Sequence, residues 1–319
     1  MTNKADSTKF NIPTATHLGY VYLNVRNLDN QIAFYTQVLG LKLHWRESAE
    51  AALGTEAEVL LRMSENPEGH RVERTTGLYH FALIYPSRKE LARAVARLFA
   101  LRYPNAPTDH GVSKSIYVDD PEGNTIELYV LTLDDAHLEI KNGQVVAYYA
   151  DGRIGNGRDH LDLQALIRDR HEREPLDVPL SEGTRIGHVN LYASSLQPMK
   201  QFYRDVIGFQ EGMNWEPIGT FDLGLSANYP HIVAVNIWKG IGIPPAPAGS
   251  LGLRYFTIVL PNAIELQRVI EHVRAGGVVA EETPEGILVR DPSQINVILT
   301  DHMLPIQAPQ SLAFSDSQP

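Results

Sequence analysis

Apolar and polar residues alternate along several short stretches of this chain, and such alternation predicts half-buried β-strands. In the first stretch, residues 18–25, aliphatic side chains fall on one face, while two tyrosines and an asparagine fall on the other. An apolar run at helical spacing follows and ends at Gly40. Strand-like runs follow at 41–45 and 57–63, and we interpret the whole stretch as a β-α-β-β-β unit.

The same unit recurs along the chain. The stretch at 18–40 returns at 186–208, and the offset of 168 residues (186 − 18) is constant through strand and helix. A second pair of copies begins at 78–85 and 253–260. Because such repetition indicates one structural unit used several times, we predict an α+β fold of four tandem βαβββ modules.

The order of the modules divides the chain into two predicted domains. We assign modules 1 and 2 to a first domain at 16–130, and modules 3 and 4 to a second domain at 182–302. Residues 131–181 form an inter-domain connection, which is expected to contain a strand pair and a short helix and to cover a site. The segments 1–15 and 303–319 are assigned as terminal tails.

Composition and charge narrow the function further. The chain has 319 residues, which is enough for two domains with hydrophobic cores. Its net charge of −10 argues against a nucleic-acid or anionic-membrane surface, since both bind basic patches. It contains no cysteine, so any metal must be held by His, Asp or Glu. No run is typical of a signal peptide or a membrane span, and we expect a cytoplasmic protein.

Three strand positions differ between equivalent modules in a way that points to chemistry. One copy carries a side chain that can bind a metal and the other does not: His188 against Tyr20, His80 against Tyr255, and Glu127 against Ile298. Each candidate lies on the polar face of a strand whose other face is apolar. Singly, such residues are more often hydrogen-bonded or solvated than ligands. Together, two imidazoles and a carboxylate form a facial triad, which most often holds non-haem Fe(II).

The pairing of the modules decides whether these side chains can meet. If modules 1 and 2 share one cup and modules 3 and 4 share another, each cup holds an incomplete ligand set. If module 2 pairs with module 3, one cup holds His80, Glu127 and His188, and the cup of modules 1 and 4 has lost all three ligands. We predict the second arrangement, because it explains why the substitutions occur together.

The repeated unit resembles the vicinal oxygen chelate superfamily, which includes glyoxalase I, fosfomycin and bleomycin resistance proteins and extradiol dioxygenases. Within it, the runs 76–83, 109–113 and 117–129 are most similar to bacterial catechol 2,3-dioxygenases. The resemblance spans about residues 16–300 and implies two cup-shaped half-barrel sites. It also implies an extradiol enzyme that inserts O2 into a catechol next to the diol and yields a 2-hydroxymuconic semialdehyde-type product.

The resemblance assigns roles to individual residues. The three ligand candidates would hold Fe(II), with Mn(II) as the alternative ion. His231 would be the acid–base residue, while His110 and Tyr117 would hydrogen-bond oxygens of the substrate or an intermediate. Ring cleavage needs a base for a catechol proton and later an acid as the O–O bond breaks, and one histidine can serve as both. The alternative is structural: His110 in a turn, Tyr117 packed in its strand, and His231 at an exposed strand edge.

Two other functions fit the same scaffold. One is a glyoxalase-like lyase or isomerase that uses Ni, Zn or Mn, although such sites usually carry more carboxylate or Gln ligands. The other is a metal-free resistance protein that binds an aromatic drug, against which the intact ligand set argues. The ring substituents, a homo-oligomeric state, and whether the cup forms within one chain or between two chains stay open.

Overall fold

Two eight-stranded sheets dominate the computed structural model, which describes residues 10–169, 175–212, 215–226 and 231–308. Parts of the predicted tails and of the predicted connection therefore lie outside the described residues. No helix in the described ranges is long and apolar enough to cross a membrane.

Modules 1 and 2 each begin with a strand and a capped helix. Module 1 comprises β1 (His17–Val25), α1 (Leu28–Ala33) with a π-helical turn (Phe34–Val38), β2 (Lys42–Glu47), β3 (Glu50–Gly54) and β4 (Val59–Glu65). Module 2 comprises β5 (Gly77–Ile84), α2 (Arg88–Ala100), β6 (Ala106–Asp109), β7 (Ser113–Asp119) and β8 (Thr125–Leu131). The side chains of Asn27 and Ser87 accept backbone N–H groups of the first turn and so cap the start of both helices.

The connection and modules 3 and 4 complete the chain. The connection contains β9 (Ala136–Lys141), β10 (Gln144–Tyr149), β11 (Ile154–Gly155) and α3 (Leu163–Arg168). Module 3 comprises β12 (Arg185–Tyr192), α4 (Leu196–Gln201) with a π-helical turn (Phe202–Ile207), β13 (Gln210–Glu211), a 3₁₀ turn (Glu216–Ile218), β14 (Thr220–Gly224) and β15 (Val233–Asn236). Module 4 comprises β16 (Gly252–Val259), α5 (Ala263–Ala275), β17 (Glu281–Thr283), β18 (Gly286–Arg290) and β19 (Asn296–Thr300).

The sheets join the modules crosswise. One sheet runs β13-β14-β15-β12-β5-β8-β7-β6 and therefore combines modules 3 and 2 through antiparallel pairing of β12 with β5. The other runs β17-β18-β19-β16-β1-β4-β3-β2 and combines modules 4 and 1 through β16 and β1. This is the pairing that the ligand substitutions predicted. The domain limits at 16–130 and 182–302 stay a prediction. Each sheet combines strands from both of these segments.

Buried hydrogen bonds link the two sheets in a repeated way. The hydroxyl of Tyr35 in module 1 donates to Asp120 in module 2, at 3.1 Å. Its repeat counterpart, Tyr203 in module 3, donates to Asp291 in module 4, at 2.9 Å. One extensive hydrophobic core includes buried residues of all four modules. The two sheets are therefore held together by a shared core and by two equivalent buried hydrogen bonds.

Candidate metal centre

The three predicted ligands lie on three adjacent strands of one sheet. His80 is on β5, which pairs with β12 on one side and with β8 on the other. His188 on β12 pairs with Ala82, and Glu127 on β8 pairs with the same Ala82. The ligands therefore flank one small side chain on one face of the sheet, and each of the three is at most 4% exposed.

Their ligand atoms converge on one point. Nε2 of His80 lies 3.0 Å from Nε2 of His188 and 3.2 Å from Oε2 of Glu127. Nε2 of His188 lies 3.1 Å from the same carboxylate oxygen. An ion about 2.1 Å from two ligand atoms at a right angle separates those atoms by about 3.0 Å. The triangle therefore fits three corners of one octahedral face, and the residues fit a divalent metal.

The protonation states suit metal binding. Burial lowers the pKa of His188 to about 3, and the neighbouring His231 acts in the same direction. This imidazole is therefore neutral at pH 7. Burial alone would raise the pKa of Glu127, but the adjacent His188 and His80 outweigh burial and hold that pKa well below its usual range. A neutral imidazole and a carboxylate are the forms that ligate a cation.

His110 and Tyr117 form a hydrogen-bonded pair beside the ligands. Nδ1 of His110 lies 2.5 Å from the carbonyl of Gly157 and so carries the proton that this carbonyl accepts. Burial lowers the pKa of His110, which keeps it neutral, and its Nε2 then accepts the Tyr117 hydroxyl at 3.0 Å. The Tyr117 ring lies 5.6 Å from the ring of His80. Both residues thus lie in the cup, as their predicted roles require.

His231 lies against a ligand and is held by a carboxylate. Its ring is 4.2 Å from the ring of His188, and its Nδ1 is 3.0 Å from Oδ2 of Asp222. The indole N–H of Trp215 donates to the other carboxylate oxygen of Asp222, at 3.0 Å. Residues 227–230, which precede His231, lie outside the described residues. Among the residues present, this histidine has the setting of an acid–base group: partly exposed, oriented, and in the cup.

A cavity of about 1480 Å³ opens over the ligands. Its lining includes all six predicted site residues, and the connection supplies one wall through β9, β10 and the segment 156–160. Several lining residues were not predicted: Tyr79, Arg158, Trp215, Asp222 and Trp238. Only Asp222 had a usable signal in the sequence, since it alternates with Thr220 on the polar face of a strand.

The other cup is filled by its own side chains. Tyr20 and Tyr255 occupy two former ligand positions, and their hydroxyls lie 2.8 Å apart. Ile298 occupies the third position and is buried. Arg62 forms an ion pair with Glu50 at 2.7 Å. Across the described ranges, no second group of three His, Asp or Glu side chains comes close enough to bind one ion.

Comparisons with known proteins agree with this fold. The model of the glyoxalase/bleomycin resistance protein/dioxygenase superfamily matches residues 17–128. A catechol-2,3-dioxygenase of Bacillus subtilis (strain 168) is 36% identical over 281 residues, which cover 87% of this chain and 94% of the relative. A biphenyl-2,3-diol 1,2-dioxygenase 3 of Rhodococcus globerulus is 30% identical over 121 residues, which cover 35% of this chain and 62% of that protein.

A solved structure supports the same assignment for the fold. The putative dioxygenase from Bacillus subtilis subsp. subtilis str. 168 superposes with a TM-score of 0.61 at 12% identity, covering 91% of this chain and 86% of that chain. Sequence similarity over most of the chain and the crosswise four-module fold lead to one conclusion: the chain belongs to the glyoxalase/bleomycin resistance protein/dioxygenase superfamily.

Proposed function

We propose that this protein is an extradiol dioxygenase that cleaves the ring of a catechol next to its diol and yields a 2-hydroxymuconic semialdehyde-type product. The observation that carries the proposal is the nearly equilateral triangle of ligand atoms from His80, Glu127 and His188 at the floor of a large cavity. The name of the 36% identical relative supports the same reaction class. A facial triad leaves the opposite face of the metal open, which is enough for a catechol bound through both oxygens and for O2 beside it.

The metal in this proposal is Fe(II), with Mn(II) as the alternative, held by His80, Glu127 and His188. When bound, Fe(II) supplies the redox chemistry that couples a catechol to O2. The protein contributes position and polarity: the ligand side chains are at most 4% exposed, so bulk water is kept from their side of the metal. The single carboxylate leaves a smaller negative charge on the site than a two-carboxylate set would.

His231 is the proposed acid–base residue. Asp222 accepts the Nδ1 proton of His231, which leaves the Nε2 lone pair to take a proton from a catechol hydroxyl. The same nitrogen then returns that proton to an oxygen of the opening ring. Because Asp222 is itself held by Trp215, the imidazole keeps one orientation through both proton transfers.

His110 and Tyr117 are proposed to bind substrate oxygens from the opposite side of the cup. Burial and the charge of Glu127 raise the pKa of Tyr117 well above its usual value, so the phenol keeps its proton and acts as a donor. The carbonyl of Gly157 holds the Nδ1 proton of His110, so Nε2 of His110 is an acceptor, which can bind a substrate hydroxyl in place of the Tyr117 hydroxyl. The Tyr117 hydroxyl would then turn to donate to a substrate oxygen, and such a donor stabilises negative charge that develops there.

The test is a comparison of two reactions. Protein loaded with Fe(II) under anaerobic conditions is mixed with a panel of catechols and O2, and O2 uptake and a yellow product are recorded. We expect stoichiometric uptake with at least one catechol. No uptake with any catechol, together with conversion of a thiol adduct of methylglyoxal, would favour the lyase instead. Tight binding of aromatic drugs without any turnover would favour the resistance protein.

A further inference from the structure

One cation faces the cavity without a carboxylate partner. Among the described residues that line the cavity, Arg158 is the only lysine or arginine. It follows Gly157, whose carbonyl holds His110, and its own backbone N–H donates to the Asn156 side chain at 2.8 Å. Its guanidinium carbon lies 5.7 Å from the centre of the Trp238 ring. The backbone of Arg158 is thus tied to the same turn that positions a site residue.

The carboxylates around the cavity already have partners. Asp159 accepts the Tyr149 hydroxyl at 2.8 Å and the backbone N–H of Gly157 at 3.2 Å. Asp222 is bound by His231 and Trp215, as described above. Asp119 accepts the Thr125 hydroxyl at 2.6 Å. Within the described part of the chain, none of these acids forms an ion pair with Arg158, so its positive charge is available to a bound molecule.

The cavity is much larger than a catechol ring. A cavity of about 150 Å³ is sufficient for benzene, whereas this one measures about 1480 Å³. The connection contributes four aliphatic side chains to the lining, Leu131, Leu133, Leu138 and Val145. Burial and Glu127 have the largest effects on the pKa values of His110 and Tyr117, and the charge of Arg158 is close enough to lower both pKa values as well. A substituent on the ring can therefore pack against aliphatic side chains and end at the guanidinium of Arg158.

We propose that the preferred substrates are catechols with a side chain that ends in a carboxylate, and that Arg158 binds this carboxylate. The inference rests on the proposed ring cleavage and names its substrate class. A guanidinium presents two parallel N–H donors, which match the two oxygens of a carboxylate. The face of Trp238 supports the guanidinium from one side by a cation–π contact.

The first test compares an acid with its amide. Turnover of 3-(3,4-dihydroxyphenyl)propanoate and of its primary amide is measured at low salt for wild type, Arg158→Gln and Arg158→Lys. Charge-assisted hydrogen bonds predict a roughly 10- to 100-fold preference for the acid in kcat/KM. The preference should appear in KM, fall to about one in Arg158→Gln, and be partly retained in Arg158→Lys. Added salt should reduce it in the wild type.

A matched control separates this role from general electrostatics. Arg153 lies five positions earlier in the same connection (158 − 153), forms an ion pair with Asp151 at 2.8 Å, and does not line the cavity. Arg153→Gln changes the net charge by the same amount, and the acid preference should stay at the wild-type value. An equal loss in Arg153→Gln, or an unchanged preference in Arg158→Gln, would overturn the carboxylate site.

A binding measurement makes the inference independent of turnover. Trp215 and Trp238 line the cavity, so their fluorescence can report binding of the acid and of the amide to the protein. We expect tighter binding of the acid and loss of that difference in Arg158→Gln. If the protein cleaves catechols but Arg158→Gln changes neither ratio, the carboxylate site is wrong and ring cleavage stands. If no catechol is cleaved but the binding difference depends on Arg158, the carboxylate site stands and the proposed ring cleavage is wrong.

Discussion

Replacement of His231 by phenylalanine tests whether this residue acts as an acid–base group or as a metal ligand. His231 is not one of the three converging ligands, although its ring lies 4.2 Å from that of His188. Phenylalanine keeps a planar ring beside His188 and removes both nitrogens. We therefore expect His231→Phe to retain about the wild-type amount of iron, because His80, Glu127 and His188 are unchanged.

The expected loss of turnover follows from the chemistry that is removed. General acid–base help contributes roughly 10²- to 10⁴-fold in rate, or about 3–5.5 kcal/mol of barrier. The cost in folding stability should be smaller, at about 1 kcal/mol. Asp222 loses one partner, but it keeps the hydrogen bond from Trp215, and its side chain is 15% exposed to water. A fall in turnover of this size therefore cannot be explained by unfolding.

The assay measures iron content and catechol turnover side by side on three variants. His80→Phe should lose iron itself, since only two protein ligands remain. Tyr255→Phe, at the equivalent position of the other cup, should keep both iron and turnover. Near-wild-type turnover in His231→Phe would refute its role as acid–base residue. Loss of iron in that variant would place His231 among the ligands instead.

Three further outcomes are expected. Burial raises the pKa of Asp291 to about 7, against 3.8 in the unfolded chain, so its ionisation destabilises the fold progressively from pH 4 to 7. The difference (7 − 3.8) is worth up to about 4 kcal/mol, and urea denaturation should show Asp291→Asn gaining stability relative to wild type as pH rises through this range. Gly187→Ala should lower the melting temperature and turnover, because its Cβ would lie 2.2 Å from the hydroxyl of Tyr129, whose ring packs on His188. Removal of the metal with a chelator should lower the melting temperature. Addition of Fe(II) at about 100 times its Kd should raise the free energy of unfolding by about 2.7 kcal/mol.

The sequence predicted the pairing of the modules because the substitutions are coupled. Each ligand position is intact in one of two equivalent modules, and only crosswise pairing brings the intact ones together. Alternation along single strands also placed His80, Glu127 and His188 on the polar faces that the sheet turns toward the cup. One strand of module 1 was missed: β3 (Glu50–Gly54) is almost fully buried, so its residues do not alternate in the way that marks a half-buried strand.

The outer part of the cavity could not be predicted in the same way. Arg158 reaches the cavity through the docking of the connection on the sheet, and no periodic pattern records that docking. Trp238 comes from a loop after β15, where neither strand nor helix spacing applies. Sequence patterns locate residues on regular elements relative to their own sheet, whereas loop residues depend on long-range packing. The predicted ligands therefore stand beside unpredicted residues that shape the space for the substrate.

The second cup shows why its ligands changed together. A buried polar group costs free energy unless it is paired, so a cup that loses its metal cannot keep isolated ligands. Here Tyr20 and Tyr255 bind each other, and Arg62 lies between Glu50 and Glu285, at 2.7 and 3.1 Å. The two tyrosine hydroxyls are satisfied by each other, Tyr255 also accepts from Arg62 at 3.5 Å, and Ile298 has no polar atom to satisfy. The same physical requirement that keeps three ligands together around a metal in one cup thus removes them together from the other.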